Sequence, residues 1–192
     1  ALLDCGDKYK DNVKAYLDWH FSHLNTDKTD YNGIDGTVYD YTITVSQGKV
    51  IKETVSVKDG KNSYDSTDSY AATFLILLNK YFSVTDDSDY IAEKAEDIIR
   101  VSEAMLSTLN NGLTFAKPDY EVKYLMDNCE VYEGLQAVMN LFDKVIYADN
   151  KNKLTYIKFD YAAEWIKQGL EKHLWNADGE YYYSAVFKNG KP

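Results

Sequence analysis

Residues 64–78 read YDSTDSYAATFLILL, and residues 125–139 read LMDNCEVYEGLQAVM. In both, carboxylates and a tyrosine stand at the head of a run with hardly any polar face. Laid over one another, the two stretches match Asp65 with Asp127, Asp68 with Glu130 and Tyr70 with Tyr132, a D-x-x-[DE]-x-Y pattern recurring after 62 residues. A helix that is apolar nearly all round is one buried on most sides. Residues 69–82 and 131–146 are therefore expected to form inner helices, and recurrence at a fixed spacing points to a repeat architecture.

Three further segments are amphipathic. Residues 8–24 place Val13, Tyr16, Leu17, His20, Phe21 and Leu24 at helical spacing with lysines and aspartates opposite. Residues 89–109 do the same through Ile91, Ile98, Ile99, Met105 and Leu109, and residues 154–174 through Phe159, Ala162, Ile166, Leu170 and Leu174. The order is amphipathic, buried, amphipathic, buried, amphipathic, which is how outer helices sheltering inner ones would read. The exits of the outer helices also look alike: HLN at 23–25, TLN at 108–110 and LWN at 174–176 are each followed by a glycine and an aromatic or β-branched stretch. Between the first exit and the first inner helix, TITVSQGKVIKETVSV gives two alternating runs around a Gln-Gly-Lys turn, a β-hairpin signal. The expected fold is all-α: a partial (α/α)n toroid of about five helices in one domain over 1–192, with a β-hairpin inserted near residues 39–57 and short strands after the outer helices. Ala1–Leu3 would correspond to the tail of an inner helix.

The chain has 192 residues, 45% of them hydrophobic and 15% aromatic, enough for one good core. Its formal charge is −10 and it has a single arginine, Arg100, so broad contact with nucleic-acid phosphates or an anionic membrane is not expected. No run reaches the roughly 18–20 apolar residues of a membrane span. Cys5 and Cys129 form neither a disulfide framework nor a zinc-type grouping, and no metal or cofactor is expected. DYNGIDG at 30–36 lacks the alternating ligands and closing glutamate of an EF-hand loop, and reads as a turn-rich connector. His20, His23 and His173 lie on or beside outer-helix faces, where packing or solvent exposure accounts for them.

An aspartate-led buried helix, an amphipathic outer helix and a short aromatic strand, repeated, resemble the six-hairpin (α/α)6-toroid glycosidase superfamily. Met126-Asp127-Asn128, opening an inner helix, looks like the segment that carries the catalytic aspartate in unsaturated glucuronyl hydrolases. Those enzymes have a second aspartate at the start of the preceding inner helix, the place of Asp65 or Asp68 here. At about 62 residues per hairpin, six hairpins need roughly twice this length. The resemblance thus implies about half of a toroid, and a glycoside hydrolase acting on an oligo- or polysaccharide.

Glycoside hydrolysis needs one carboxyl to protonate the leaving oxygen and another to attack the sugar or activate water. Asp127 is expected to be the acid, because Asn128 and the apolar Leu125 and Met126 beside it offer a partly desolvated setting that raises its pKa. Asp65 is the expected second carboxylate, with Asp68 and Glu130 as alternates. Tyr64, Tyr70, Tyr124, Tyr132 and Asn128 are the candidate sugar contacts. The same acids also fit a plainer role: Asp65 and Asp127 as helix N-caps, with Asp68 and Glu130 three positions on completing a capping box. With capping alone, the chain would be a non-catalytic carbohydrate-binding protein or a helical-repeat module for protein partners.

Overall fold

The structure, a computed structural model, describes residues 2–146 and 153–192. Leu2–Tyr9 form a 3₁₀ segment that runs directly into α1 (Lys10–Ser22). The expected inner-helix tail at Ala1–Leu3 is therefore the lead-in to an outer helix, with Ala1 itself outside the described residues. The remaining helices are α2 (Asp68–Thr85), α3 (Ser88–Glu93), α4 (Ala95–Leu106), α5 (Leu125–Lys144) and α6 (Lys153–Gly169), the last continuing as a π turn over Leu170–Leu174. The segment expected as one helix over 89–109 is broken at Lys94, where φ −91° and ψ 6° leave the helical region.

Each outer helix turns one stripe inward: Val13, Leu17 and Phe21 from α1; Ile98, Val101 and Met105 from α4; Phe159, Ala162, Ala163 and Ile166 from α6. These stripes meet α2 and α5, which lie side by side at the centre of one continuous core. The close approach of α2 and α5 depends on Gly134. A Cβ there would fall 2.9 Å from the Cα of Ala72 and 3.0 Å from the sulfur of Met105.

The repeat is real but its register differs from the sequence match. Burial repeats after sixty residues: Asp68, Ala71, Phe74, Leu75, Leu78, Tyr81 and Phe82 of α2 fall on Asn128, Val131, Gly134, Leu135, Val138, Leu141 and Phe142 of α5, and all fourteen are buried. Packing sets this register, whereas the D-x-x-[DE]-x-Y match pairs residues of unlike burial, exposed Asp65 with buried Asp127 and buried Asp68 with half-buried Glu130.

The architecture is helix-rich with short antiparallel strand pairs, so all-α describes it only in part. The expected hairpin is β1 (Tyr41–Ser46) with β2 (Lys49–Val55), and a second small one follows, β3 (Val57–Lys58) with β4 (Lys61–Asn62). Beyond the outer helices come β5 (Leu109–Asn110) with β6 (Leu113–Thr114), and β8 (Trp175–Asn176) with β9 (Tyr181–Tyr182). β7 (Val122–Tyr124), just ahead of α5, pairs with β10 (Ala185–Phe187). The turns Gln47-Gly48, Asp59-Gly60 and Asn111-Gly112 all have positive φ at both positions, the type I′ geometry that matches strand twist in two-residue hairpins.

Two exit loops repeat one device. Gly36 sits against the backbone of Arg100 in α4, and Gly112 against the backbone of Trp165 and Gly169 in α6. Both glycines have positive φ, and an added Cβ would lie 2.4 Å from the Arg100 carbonyl oxygen in one case and 2.9 Å from that of Trp165 in the other. The first seat is clamped by Arg100, whose guanidinium donates to Asp35 at 2.6 and 3.0 Å, to Asp97 at 2.7 Å and to the carbonyl of Asn25 at 3.1 Å. The loop of residues 30–36 is a connector held by Asp30, whose carboxylate accepts from the backbone N–H groups of Asn32 and Ile34 and from the hydroxyls of Thr37 and Tyr64.

Candidate functional site

The starts of α2 and α5 lie together because the chain between β6 and β7 braces them. The Thr67 N–H donates to the Ala116 carbonyl at 2.7 Å. Thr114, on β6, reaches Asp68 of α2 through its hydroxyl at 2.6 Å and Asn128 of α5 through its N–H at 2.8 Å. Asn128 in turn donates to the carbonyls of Thr114 and Tyr124. Beside this brace opens a cleft of about 970 Å³. Its floor carries Asp65, Asp127 and Glu130. Its walls are Tyr31, Tyr70, Tyr120 and Tyr124, and the β3–β4 hairpin and the segment 116–120 supply Lys58, Lys61, Lys117 and Asp119.

Five of the expected site residues line this cleft: Asp65, Tyr70, Tyr124, Asp127 and Glu130. The other four do not. Asp68 is fully buried beside the floor, where it accepts from Ser66 at 2.7 Å, from the Ser69 N–H at 2.7 Å and from Thr114. Asn128 is fully buried and spent on the brace. Tyr64 is buried with its hydroxyl between Asn32 and Asp30, so it holds the connector rather than facing the cleft. Tyr132 packs partly buried against the core. The sequence pattern gives the place of these four along the chain but not which way their side chains turn.

The acids do not cap in the expected pattern, although Asp68 accepts from the first-turn N–H of Ser69. α2 begins at Asp68 with Thr67 at the cap, and α5 begins at Leu125 with Tyr124 there; neither cap position makes a side-chain bond. Asp127 instead stands at the third residue of α5. Burial pushes its carboxyl up to about 7, with the nearby charges of Asp68, Glu130 and Asp65 adding to the effect. Glu130 is raised as well, by burial first and then by Asp68 and Glu133. Asp68 is raised by burial against the opposing pull of its hydrogen bonds from Thr114, Ser66 and Ser69.

The aromatic wall is connected. The hydroxyls of Tyr120 and Tyr124 lie 3.2 Å apart, and this contact, with burial, holds Tyr124 at about 12. The hydroxyl of Tyr31 donates to Asp119 at 3.2 Å, and its ring lies 5.0 Å from that of Tyr64, which backs it. Lys117 is fixed by donating to the Tyr64 carbonyl at 3.0 Å. Tyr31, Lys117 and Tyr120 escaped the sequence reading because they sit on connectors outside the repeated motif. A carboxyl that keeps its proton near neutrality beside others with aromatic rings around them can deliver a proton to a polyhydroxylated ligand stacked on those rings. Among the described residues, no group of three or more His, Cys, Asp or Glu side chains is arranged to hold a metal ion, and no helix is long and apolar enough to cross a membrane.

No protein-family profile and no curated protein sequence matches the chain. Its fold is similar to that of a solved structure described as a sugar epimerase from a ruminal bacterium, with a TM-score of 0.61 and 15% sequence identity. That similarity covers 98% of this chain and 42% of the epimerase chain.

Proposed function

We propose that the cleft is a carbohydrate site and that its chemistry is general acid catalysis by Asp127 on the glycosidic bond of an oligo- or polysaccharide. The observation that carries this reading is Asp127 itself. It opens onto the cleft, keeps a proton to about pH 7 and lies among other carboxylates. Protonation of a leaving oxygen requires an acid of that strength, and Asp65, on the same floor, is the second carboxylate. Four tyrosines gathered at the inner-helix starts favour a sugar over a protein partner, for which aromatic anchors would spread along an outer face.

The chain reads as about half of a six-hairpin (α/α) toroid. A likeness that covers 98% of this chain but 42% of a longer chain supports that reading. The described neighbour also supports a second reading, in which Asp127 serves proton transfer in a sugar isomerisation with no bond to the neighbouring sugar broken. Titration of the isotopically labelled chain with a panel of oligosaccharides tests the site. Amide and carboxyl signals around Asp65, Asp127, Tyr31 and Tyr124 should move, and reducing ends should appear and be lost in Asp127→Asn. New anomeric signals without new reducing ends would select isomerisation. Shifts confined to outer faces, or full turnover by Asp127→Asn, would sink the proposal.

A further inference from the structure

Beneath the cleft, three buried side chains from three elements meet at one hydroxyl. Thr114 has a single hydroxyl proton and two acceptors in reach, Oδ2 of Asp68 at 2.6 Å and Oδ1 of Asn128 at 3.1 Å. All three residues are fully buried, so none can turn to water for a substitute bond. While Asp68 is ionised, Thr114 gives its proton to Asp68, and Oδ1 of Asn128 keeps the Thr114 N–H at 2.8 Å. If Asp68 takes up a proton, it can donate to the Thr114 oxygen, and Thr114 then donates to Asn128. The brace between α2 and α5 stays fully bonded in both states, and only the charge on Asp68 changes.

We propose that Thr114 is the positioning residue of this site: its two-way hydroxyl lets the buried Asp68 carry a negative charge next to Asp127 without loosening the two inner-helix starts. The proposal rests on Asp127 being the working acid of the cleft. The groups that act on Asp127 are Asp68 and Asp65 at the start of α2, Glu130 on its own helix and Tyr124 at the head of that helix, and Tyr120 and Lys117 line the same cleft. Of the acids, Asp68 acts on it most strongly when ionised. A hydroxyl bond to an ionised carboxylate is stronger than one to a neutral carboxyl. Removing the hydroxyl therefore favours neutral Asp68, and without that negative neighbour Asp127 releases its proton more easily.

The test is a carboxyl-carbon NMR titration of the whole chain with no sugar present, so its outcome does not depend on whether the chain turns over a glycan. Thr114→Val should lower the Asp127 midpoint from about 7 by roughly one pH unit. Thr114→Ser, which restores the hydroxyl, should return it to the wild-type value. Asp68→Asn should lower it as well, and Thr114→Val should add nothing in the Asp68→Asn background, because the path through Asp68 is already cut. An unchanged midpoint in folded Thr114→Val would overturn the proposal, as would an equal further drop in the Asp68→Asn background. Should Thr114→Val not fold, Thr114→Ala takes its place in both arms. If neither folds, Thr114 is a folding residue and the proposal fails.

Discussion

At Asp127, function and stability pull in opposite directions. An unfolded aspartate ionises near its ordinary value of 3.8, while in the fold this one holds its proton to about 7. Between those values the folded state binds a proton that the unfolded state has released, so stability falls as pH rises from about 4 to about 7 and is level above. Asp127→Asn, which has no proton to lose, should match the wild type at pH 4 and exceed it at pH 8 by on the order of 2–4 kcal/mol. Urea unfolding at the two pH values checks this; equal stabilities at pH 8 would mean that the carboxyl is not buried at a cost. The raised acid was legible in the sequence, though for partly wrong reasons. Met126, expected to help desolvate Asp127, is 67% exposed, and Asn128 points into the brace. The actual causes are burial and the acids of both helix starts, which come together only through tertiary contacts.

Among elements, the crossing of α2 and α5 at Ala72 and Gly134 is the point where a single atom decides the packing. Gly134→Val should destabilise the chain by about 2–3 kcal/mol, since a Cβ has no room against the Ala72 backbone and core atoms yield little. Ala72→Gly in the same chain should recover part of that loss, and chemical denaturation of the single and double variants measures both. If Gly134→Val were neutral, the helices would be free to move apart and the crossing would not fix the cleft. The five main helices, their alternation and the first hairpin were legible because periodicity and a Gly turn report them directly. The break at Lys94, the π turn after Gly169 and the sixty-residue register were not. The π turn and the register arise where one element meets another, as at Gly169 against Gly112, and local pattern carries no trace of that.

For the molecule as a whole, the net charge of −10 sets a background of self-repulsion that compact folding concentrates. Raising sodium chloride from about 20 to 200 mM shortens the Debye length from roughly 20 Å to below 10 Å, so Tm should rise by about 2–4 °C. A Tm that falls with salt would instead give the surface ion pairs, such as Lys188 with Glu121 and Lys80 with Asp4, the larger share of the electrostatic stability. Acids are also concentrated in the cleft, where Lys58, Lys61 and Lys117 partly balance them. The layered arrangement was visible from the order of amphipathic and buried segments, while the cleft was visible only as its three acids and two of its tyrosines, Tyr70 and Tyr124. Tyr31, Tyr120 and the lysines of its walls come from connectors and from β3–β4, whose positions follow from the fold rather than from any motif.

The glycine seats of the exit loops bear on how such an array can vary. Gly36 rests on the main chain of α4 and Gly112 on that of α6, so at these seats the spacing from one repeat to the next is set by the thickness of a polypeptide backbone. Backbone thickness is the same whatever side chains a helix carries. The outward faces of α4 and α6 can then change size or charge without altering the pitch of the array at these seats.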